Sequence, residues 1–298
     1  MILSRQPGAK FHVPVMPSKV ISFLNITPKG IYVDGTIGTG GHATLILKKL
    51  SKNGHLVGID RDEEALKICT NSLSAFTPSI SLFNDSYHNL DTILKGLEIK
   101  TVNGILLDLG MSSIQLDSES RGFSFNYDSV LDMRFNMSQK TKAYDILNQT
   151  SARDLANIIF YNGEEKRSRN IAKKIIEMRP LNRVPDLVEA IRRSTPPNNR
   201  HKSIIRVFQA IRIAVNNELE NLDRFLALFY QKLSIGGRVV IISFHSLEDR
   251  KVKHYLKKLA SQNKIKILTK KPLTASHREL TKNSRSKSAK LRAAEKIA

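Results

Sequence analysis

The stretch Ile31-Tyr32-Val33-Asp34-Gly35-Thr36-Ile37-Gly38-Thr39-Gly40-Gly41-His42 decides the fold. A short apolar run ends in an acid and a glycine-rich turn, and a helical pattern with Leu45, Ile46, Leu47 and Leu50 follows over His42–Leu50. Strand, glycine turn and helix in that order form the context of a nucleotide-type ligand loop, because glycine lets backbone approach a ligand and the helix start presents unpaired N–H groups. His55-Leu56-Val57-Gly58-Ile59-Asp60 reads as a second strand ending in an acid, about 20 residues on, where a carboxylate takes both hydroxyls of a ribose. Asp62 then N-caps a helix running to Leu73.

Working outward, Ile80-Ser81-Leu82-Phe83 and Gly104-Ile105-Leu106-Leu107-Asp108 read as strands three and four. Strands alternating with helices of this length predict an α/β fold built of βαβ units on a mostly parallel sheet. The alternation stops after Asp108. Residues 110–140 read as loop and 142–233 as successive amphipathic helices, including Lys166–Met178 and Phe208–Val215. Strand character returns at Arg238–Ser243, after Gly236-Gly237. The expectation is a discontinuous core over 1–112 and 218–298, interrupted by a helical domain over 113–217.

Three readings of the glycine turn are open. A plain structural turn needs no ligand. NAD prefers G-x-G-x-x-G, whereas the spacing here is G-x-G-G with Asp34 just upstream, and an acid there repels a pyrophosphate. S-adenosylmethionine carries an ammonium group and a ribose, which suit Asp34 and Asp60.

The 298 residues carry 48 Lys+Arg against 27 Asp+Glu, a net charge of +21. That excess points to a polyanionic partner. From Arg250 to Ala298 there are 16 cations against two acids, and the tail from about residue 270 reads either as a solvated terminus or as a phosphate-contacting arm. Apolar runs of about six residues are too short to span a membrane, and residues 1–7 lack a signal-peptide core. One cysteine, Cys69, excludes a disulfide framework and reads as a buried structural thiol; the eight histidines show no metal-ligand spacing. The expectation is a cytoplasmic, metal-independent protein; oligomeric state leaves no signal.

Two strand edges carry the candidate chemistry. Asp108-Leu109-Gly110-Met111 leaves strand four and Ser243-Phe244-His245-Ser246-Leu247-Glu248-Asp249-Arg250 leaves strand five. An exocyclic amine is a poor nucleophile, and a carboxylate such as Asp108 favours its attacking geometry by accepting its N–H. His245 reads as proton acceptor or as an RNA phosphate contact. Asp249 and Arg250 read equally as a helix-start acid and a surface cation. Cys69 lies away from the edge, which disfavours cysteine addition to a pyrimidine ring.

The chain resembles the bacterial 16S ribosomal RNA cytosine-N4 methyltransferases. The stretches that carry the resemblance run from His12-Val13-Pro14-Val15 through Leu106–Gly110, Gln115-Leu116-Asp117, Arg121–Phe125 and Leu131–Arg134. They continue with Gly163-Glu164-Glu165, Phe208-Gln209-Ala210, Ser243–Arg250 and Asn283–Arg292. The resemblance implies a Rossmann-like class I methyltransferase core with an inserted helical domain that helps hold RNA, S-adenosyl-L-methionine as cofactor, and a decoding-centre cytosine of 16S rRNA as substrate within the small ribosomal subunit. It implies cofactor contacts at Gly40, Gly41, His42, Asp60, Tyr87 (usually Phe), Asp108 and Gln115. The chain departs from the family pattern at Lys19, Ile114, Val130 and Lys202–Val207. A non-catalytic RNA-binding protein would need neither Gly40, Asp60 nor Asp108, and a DNA cytosine-N4 methyltransferase would carry a Pro-Pro-aromatic loop that Asp108–Met111 lacks.

Overall fold

A computed structural model describes residues 14–112, 115, 116 and 118–298. His12 and Val13, the amino-terminal residues 1–7, and Ile114 and Asp117 lie outside the described residues. Those up to Ser112 and from Arg224 onward cluster into one compact unit, and those between into a second.

The first unit is a seven-stranded sheet of order β3-β2-β1-β4-β5-β7-β6. Its strands are β1 (Ile31–Asp34), β2 (His55–Asp60), β3 (Ser79–Asn84), β4 (Val102–Asp108), β5 (Leu233–Ser243), β6 (Ile265–Ile267) and β7 (Lys290–Lys296). The first five run parallel, and β7 pairs antiparallel with β5 and β6. This is the class I methyltransferase arrangement of a Rossmann-like sheet. The chain reverses at β1, from which β2 and β3 extend one way and β4 and β5 the other, so a crevice opens at the strands' C-terminal ends.

Before the sheet comes α1 (Pro17–Leu24), and α2 (Gly41–Leu47), α3 (Glu63–Leu73) and α4 (Leu90–Gly96) follow β1, β2 and β3. Asp62 caps α3, accepting the N–H of Glu64 at 3.1 Å. Ile46, Leu47, Leu66, Cys69 and Leu73 bury their side chains with Leu56 and Leu106 of the sheet. Lys19, one departure from the family pattern, donates from Nζ to the Thr274 carbonyl at 2.5 Å.

The tail corrects an expectation. Strand character begins at Leu233, earlier than Arg238, and the cationic stretch expected as an arm supplies β7, an internal strand. Leu291, Ala293 and Ala294 are fully buried, and Arg292 donates to both carboxylate oxygens of Asp249 at 2.7 and 3.1 Å. Asp249 is thus the buried partner of a cation in β7.

The second unit holds α5 (Ala143–Gln149), α6 (Ala152–Gly163), α7 (Ser168–Glu177), α8 (Val184–Ser194) and α9 (Arg200–Asn216), and the first residues of α10 (Glu218–Lys232). Its core is made by the apolar faces of these helices, with Leu155, Ile159, Ile171, Ile175, Leu187 and Ile211 all fully buried. At Gly163 a Cβ would stand 2.5 Å from the Arg206 carbonyl, so α6 and α9 cross at a distance only glycine allows. Glu165, 2% exposed, accepts from Ser203 Oγ and Arg167 N–H, each at 2.9 Å. The divergent run Lys202–Val207 therefore sits in α9 and still satisfies the buried acid. Arg134 forks onto Asp132 at 2.8 and 2.7 Å, folding the loop ahead of α5. Val130 is about half exposed and bridges Arg183.

Candidate active site

All of the first four strands end in an acid or are followed by one: Asp34 in β1, Asp60 in β2, Asp85 after β3 and Asp108 in β4. Parallel strands put these carboxylates along one edge of the sheet. The glycine turn lies across that edge. Gly35 N–H donates to the Leu106 carbonyl at 2.9 Å, and Ile37 N–H to the Ile59 carbonyl at 3.0 Å, which ties the turn to β4 and β2. Thr36 Oγ1 accepts the N–H of Asp108 at 2.7 Å.

Asp34 is 1% exposed. One carboxylate oxygen accepts the Thr36 N–H at 3.3 Å, and the other, Oδ2, is buried with no hydrogen-bond partner. Burial pushes its pKa up to about 7, and the charges of Asp108 and Asp60 add to the rise, while His42 and the Thr36 N–H oppose it. A lone buried carboxylate oxygen is costly unless something positive reaches it. The ammonium group of an amino-acid-bearing cofactor meets that requirement; a pyrophosphate does not.

Asp60 accepts Gly38 N–H at 2.7 Å through Oδ2 and Asp62 N–H at 2.9 Å through Oδ1. A carboxylate has about four lone-pair positions, so acceptor capacity is left for a ribose hydroxyl. Burial lifts its pKa to about 6, against the N–H groups of Asp62, Gly38 and Arg61 that lower it. Gly40 takes φ +91° and closes onto α2, with its carbonyl accepting from Thr44 N–H at 2.9 Å and Thr44 Oγ1 at 2.8 Å. A Cβ on Gly40 would lie 3.2 Å from Cys69 Sγ, whereas one on Gly38, at φ +52°, would meet nothing within 4 Å. Gly40→Ala is therefore expected to cost about 1–3 kcal/mol of unfolding free energy and Gly38→Ala clearly less. Equal denaturant midpoints for the two variants would reject this account of the turn.

Cys69 is the floor of the turn. It is fully buried, and desolvation pushes its thiol up to about 12, helped by the nearby Asp34 and Asp60 charges. Such a thiol is inert, as expected from its place on a helix.

The remaining sequence-expected residues are placed as follows. Gly41 opens α2, and His42, 6% exposed, puts Nε2 at 3.4 Å from Asp108 Oδ2, in contact but outside hydrogen-bonding geometry. Tyr87 packs edge-on against Phe225 with ring centroids 5.7 Å apart, and a Cβ on Gly35 would lie 3.1 Å from its own Cβ. The turn, Tyr87, Asp60 and Asp108 thus share the sheet edge. Gln115 is 4% exposed and belongs to the second unit.

His245 has a local task. It is the N-cap of α11 (Ser246–Ser261): Nδ1 accepts the Glu248 N–H at 3.4 Å, and Nε2 faces Glu248 Oε1 at 3.0 Å. Glu248 in return accepts Phe244 N–H at 2.8 Å. This is a capping box with histidine in the serine position.

Sequence reasoning singled out Asp34 for an ammonium group but left Thr36 and Asp85 aside. Asp85 accepts Ser86 N–H at 2.6 Å and Asn89 Nδ2 at 2.7 Å, shaping the turn before Tyr87. The signal for it was present, since the pattern of an apolar run closed by aspartate occurs four times.

A protein-family model described as the MraW methylase family matches residues 9–297. The ribosomal RNA small subunit methyltransferase H of Thermosipho africanus is 49% identical over 290 residues, covering 96% of this chain and 98% of that protein. Its counterparts in Thermotoga neapolitana and Kosmotoga olearia are 48% and 46% identical, each over 96% of this chain and over 96% and 97% of their own lengths. Among the described residues no helix is long and apolar enough to cross a membrane.

Proposed function

The chain belongs to the MraW methylase family, and from that premise we propose that it transfers a methyl group from S-adenosylmethionine to the exocyclic N4 of a cytosine in 16S rRNA of the small ribosomal subunit. The observation that carries the cofactor assignment is the unpartnered Oδ2 of Asp34, buried at the head of a glycine turn with Asp60 at the adjoining strand end. Asp34 receives the ammonium group, Asp60 the ribose hydroxyls, and Tyr87 flanks the base; Gly40, Gly41 and His42 bring backbone and ring against the cofactor.

The cofactor, when bound, supplies an electrophilic methyl group on a sulfonium. The protein must then present the amine in line and take up one proton. Asp108 stands at the strand edge with its backbone fixed by Thr36 and suits both tasks: its carboxylate accepts an amine N–H, which localises the nitrogen lone pair, and receives the proton as the new N–C bond forms. His245, engaged by Glu248, positions the turn after β5 beside it. The family pattern adds Gln115 to the cofactor set.

Asp60→Ala is expected to weaken cofactor binding by about 1–3 kcal/mol, through loss of charge-assisted hydrogen bonds. Asp108→Ala is expected to retain the fold and lose turnover. Calorimetry and methylation rates separate the two roles, and unchanged affinity in the first or unchanged rate in the second removes that residue from the site. Mass spectrometry of rRNA nucleosides from cells with and without the protein tests the function itself: N4-methylcytidine derivatives should disappear with the gene.

A further inference from the structure

Only Phe244 and His245 separate helix α11 from β5, whose Ile242 is in register with Asp108. Its first turn therefore lies at the catalytic edge. The helix buries Val252, Leu256 and Leu259 against the first unit. Its only acids, Glu248 and Asp249, are buried too, one in the capping box and the other on Arg292. The exposed positions are Ser246, Arg250, Lys253, His254, Lys257, Lys258 and Ser261, a stripe at helical spacing on which every ionisable side chain is basic. From Arg250 to Lys258 it extends about 12 Å at 1.5 Å per residue.

Two other surface helices of this unit pair their cations with acids one turn away. Lys67 pairs with Glu63 at 2.8 Å on α3, and Lys95 with Asp91 at 2.8 Å on α4. Among the described residues, Lys253, Lys257 and Lys258 form no ion pair. A row of like charges raises the energy of the folded state unless a polyanion covers it. A lipid surface suits the face poorly, because a membrane-lying helix needs exposed apolar side chains and those of α11 are turned inward.

We propose that the Lys253, Lys257 and Lys258 face of α11 is a phosphate-backbone contact for the RNA strand whose cytosine reaches Asp108. The inference rests on the proposed function and places part of the RNA surface on the sheet unit, in a folded helix, in place of a free cationic tail. The contact is electrostatic and independent of sequence, so it adds affinity and register without reading bases.

The test uses the full-length K253Q/K257Q/K258Q variant and small ribosomal subunits from cells lacking this protein. Glutamine keeps helix propensity, and a thermal melt confirms the fold. The KM for subunits should rise about tenfold with kcat held. The slope of log affinity against log salt should flatten by about 2, three contacts at roughly 0.7 each. As a control, K48Q/K49Q/K52Q removes the same charge from exposed positions between α2 and β2, at the opposite end of the strands, and should leave the slope unchanged. A wild-type slope and KM in the α11 variant would overturn the inference, as would equal effects from the control. Loss of sedimentation with phosphatidylserine vesicles, with the RNA slope intact, would reassign the face to lipid. Failure of the wild-type protein to methylate subunits would sink the proposed function instead, so the two failures are distinguishable.

Discussion

Asp34→Asn is expected to do two opposite things: raise the stability of the unliganded protein above neutral pH and weaken its hold on the cofactor. In the folded chain Asp34 keeps its proton up to about pH 7, whereas an unfolded aspartate releases it near 3.8. Between those values the native state binds more protons, so this group's contribution to stability falls as pH rises from about 4 to about 7, then levels. The full penalty is at most about 4 kcal/mol, at 1.36 kcal/mol per pH unit. Asparagine keeps the size and the acceptor for the Thr36 N–H but carries no charge to bury. The variant's advantage over the wild type should therefore be small near pH 4 and widen by about 2–3 kcal/mol between pH 5 and pH 8.

Cofactor binding reverses the sign. An ammonium group next to Oδ2 needs the ionised carboxylate, so wild-type affinity should climb through pH 6–7 and then plateau. The variant should lose that pH dependence and bind about 10–100-fold more weakly, the value of a charge-assisted hydrogen bond. Denaturant titrations and calorimetry at pH 5 and 8 read both effects. A variant destabilised at pH 8, or one that binds the cofactor as the wild type does, would show that Asp34 is a structural acid and no ligand receptor.

How much of this was legible in the sequence depended on distance along the chain. The turn Gly35–Gly41, the strand-ending acids Asp34, Asp60 and Asp108, and the Asp62 cap are local devices, each decided within about five residues. The structure places them where the pattern put them. His245 was also decided locally, by Glu248 three residues on, but a histidine ahead of an acid draws attention as chemistry before it is considered as a cap. The tail was misread for a different reason. In Lys290-Leu291-Arg292-Ala293-Ala294-Glu295-Lys296 the charges dominate, and the small apolar residues give a weak strand signal. What buries this segment is non-local: β5 on one side, β6 on the other, and Asp249, more than forty residues upstream, for its arginine.

That buried pair makes the second large prediction. Arg292 and Asp249 are 7% and 8% exposed and joined by two hydrogen bonds, with Lys290 Nζ at 3.8 Å. Arg292→Ala strands a carboxylate inside the unit while also cutting a cavity beside an internal strand, so unfolding free energy should drop by about 3–5 kcal/mol. Removing both charges is a different perturbation. Arg292→Met with Asp249→Leu leaves no unpaired group, and it should recover most of the loss, because the pair's attraction does little more than offset its own desolvation. A double-mutant cycle by urea denaturation measures this, with a coupling energy above about 2 kcal/mol expected. If Arg292→Ala loses less than 1 kcal/mol, the tail is a loosely held strand, and its cations return to the pool available for RNA. If the loss is large and the double variant recovers, Arg292 is spent on the fold, and truncation of the tail cannot serve as a probe of RNA binding because it removes part of the sheet.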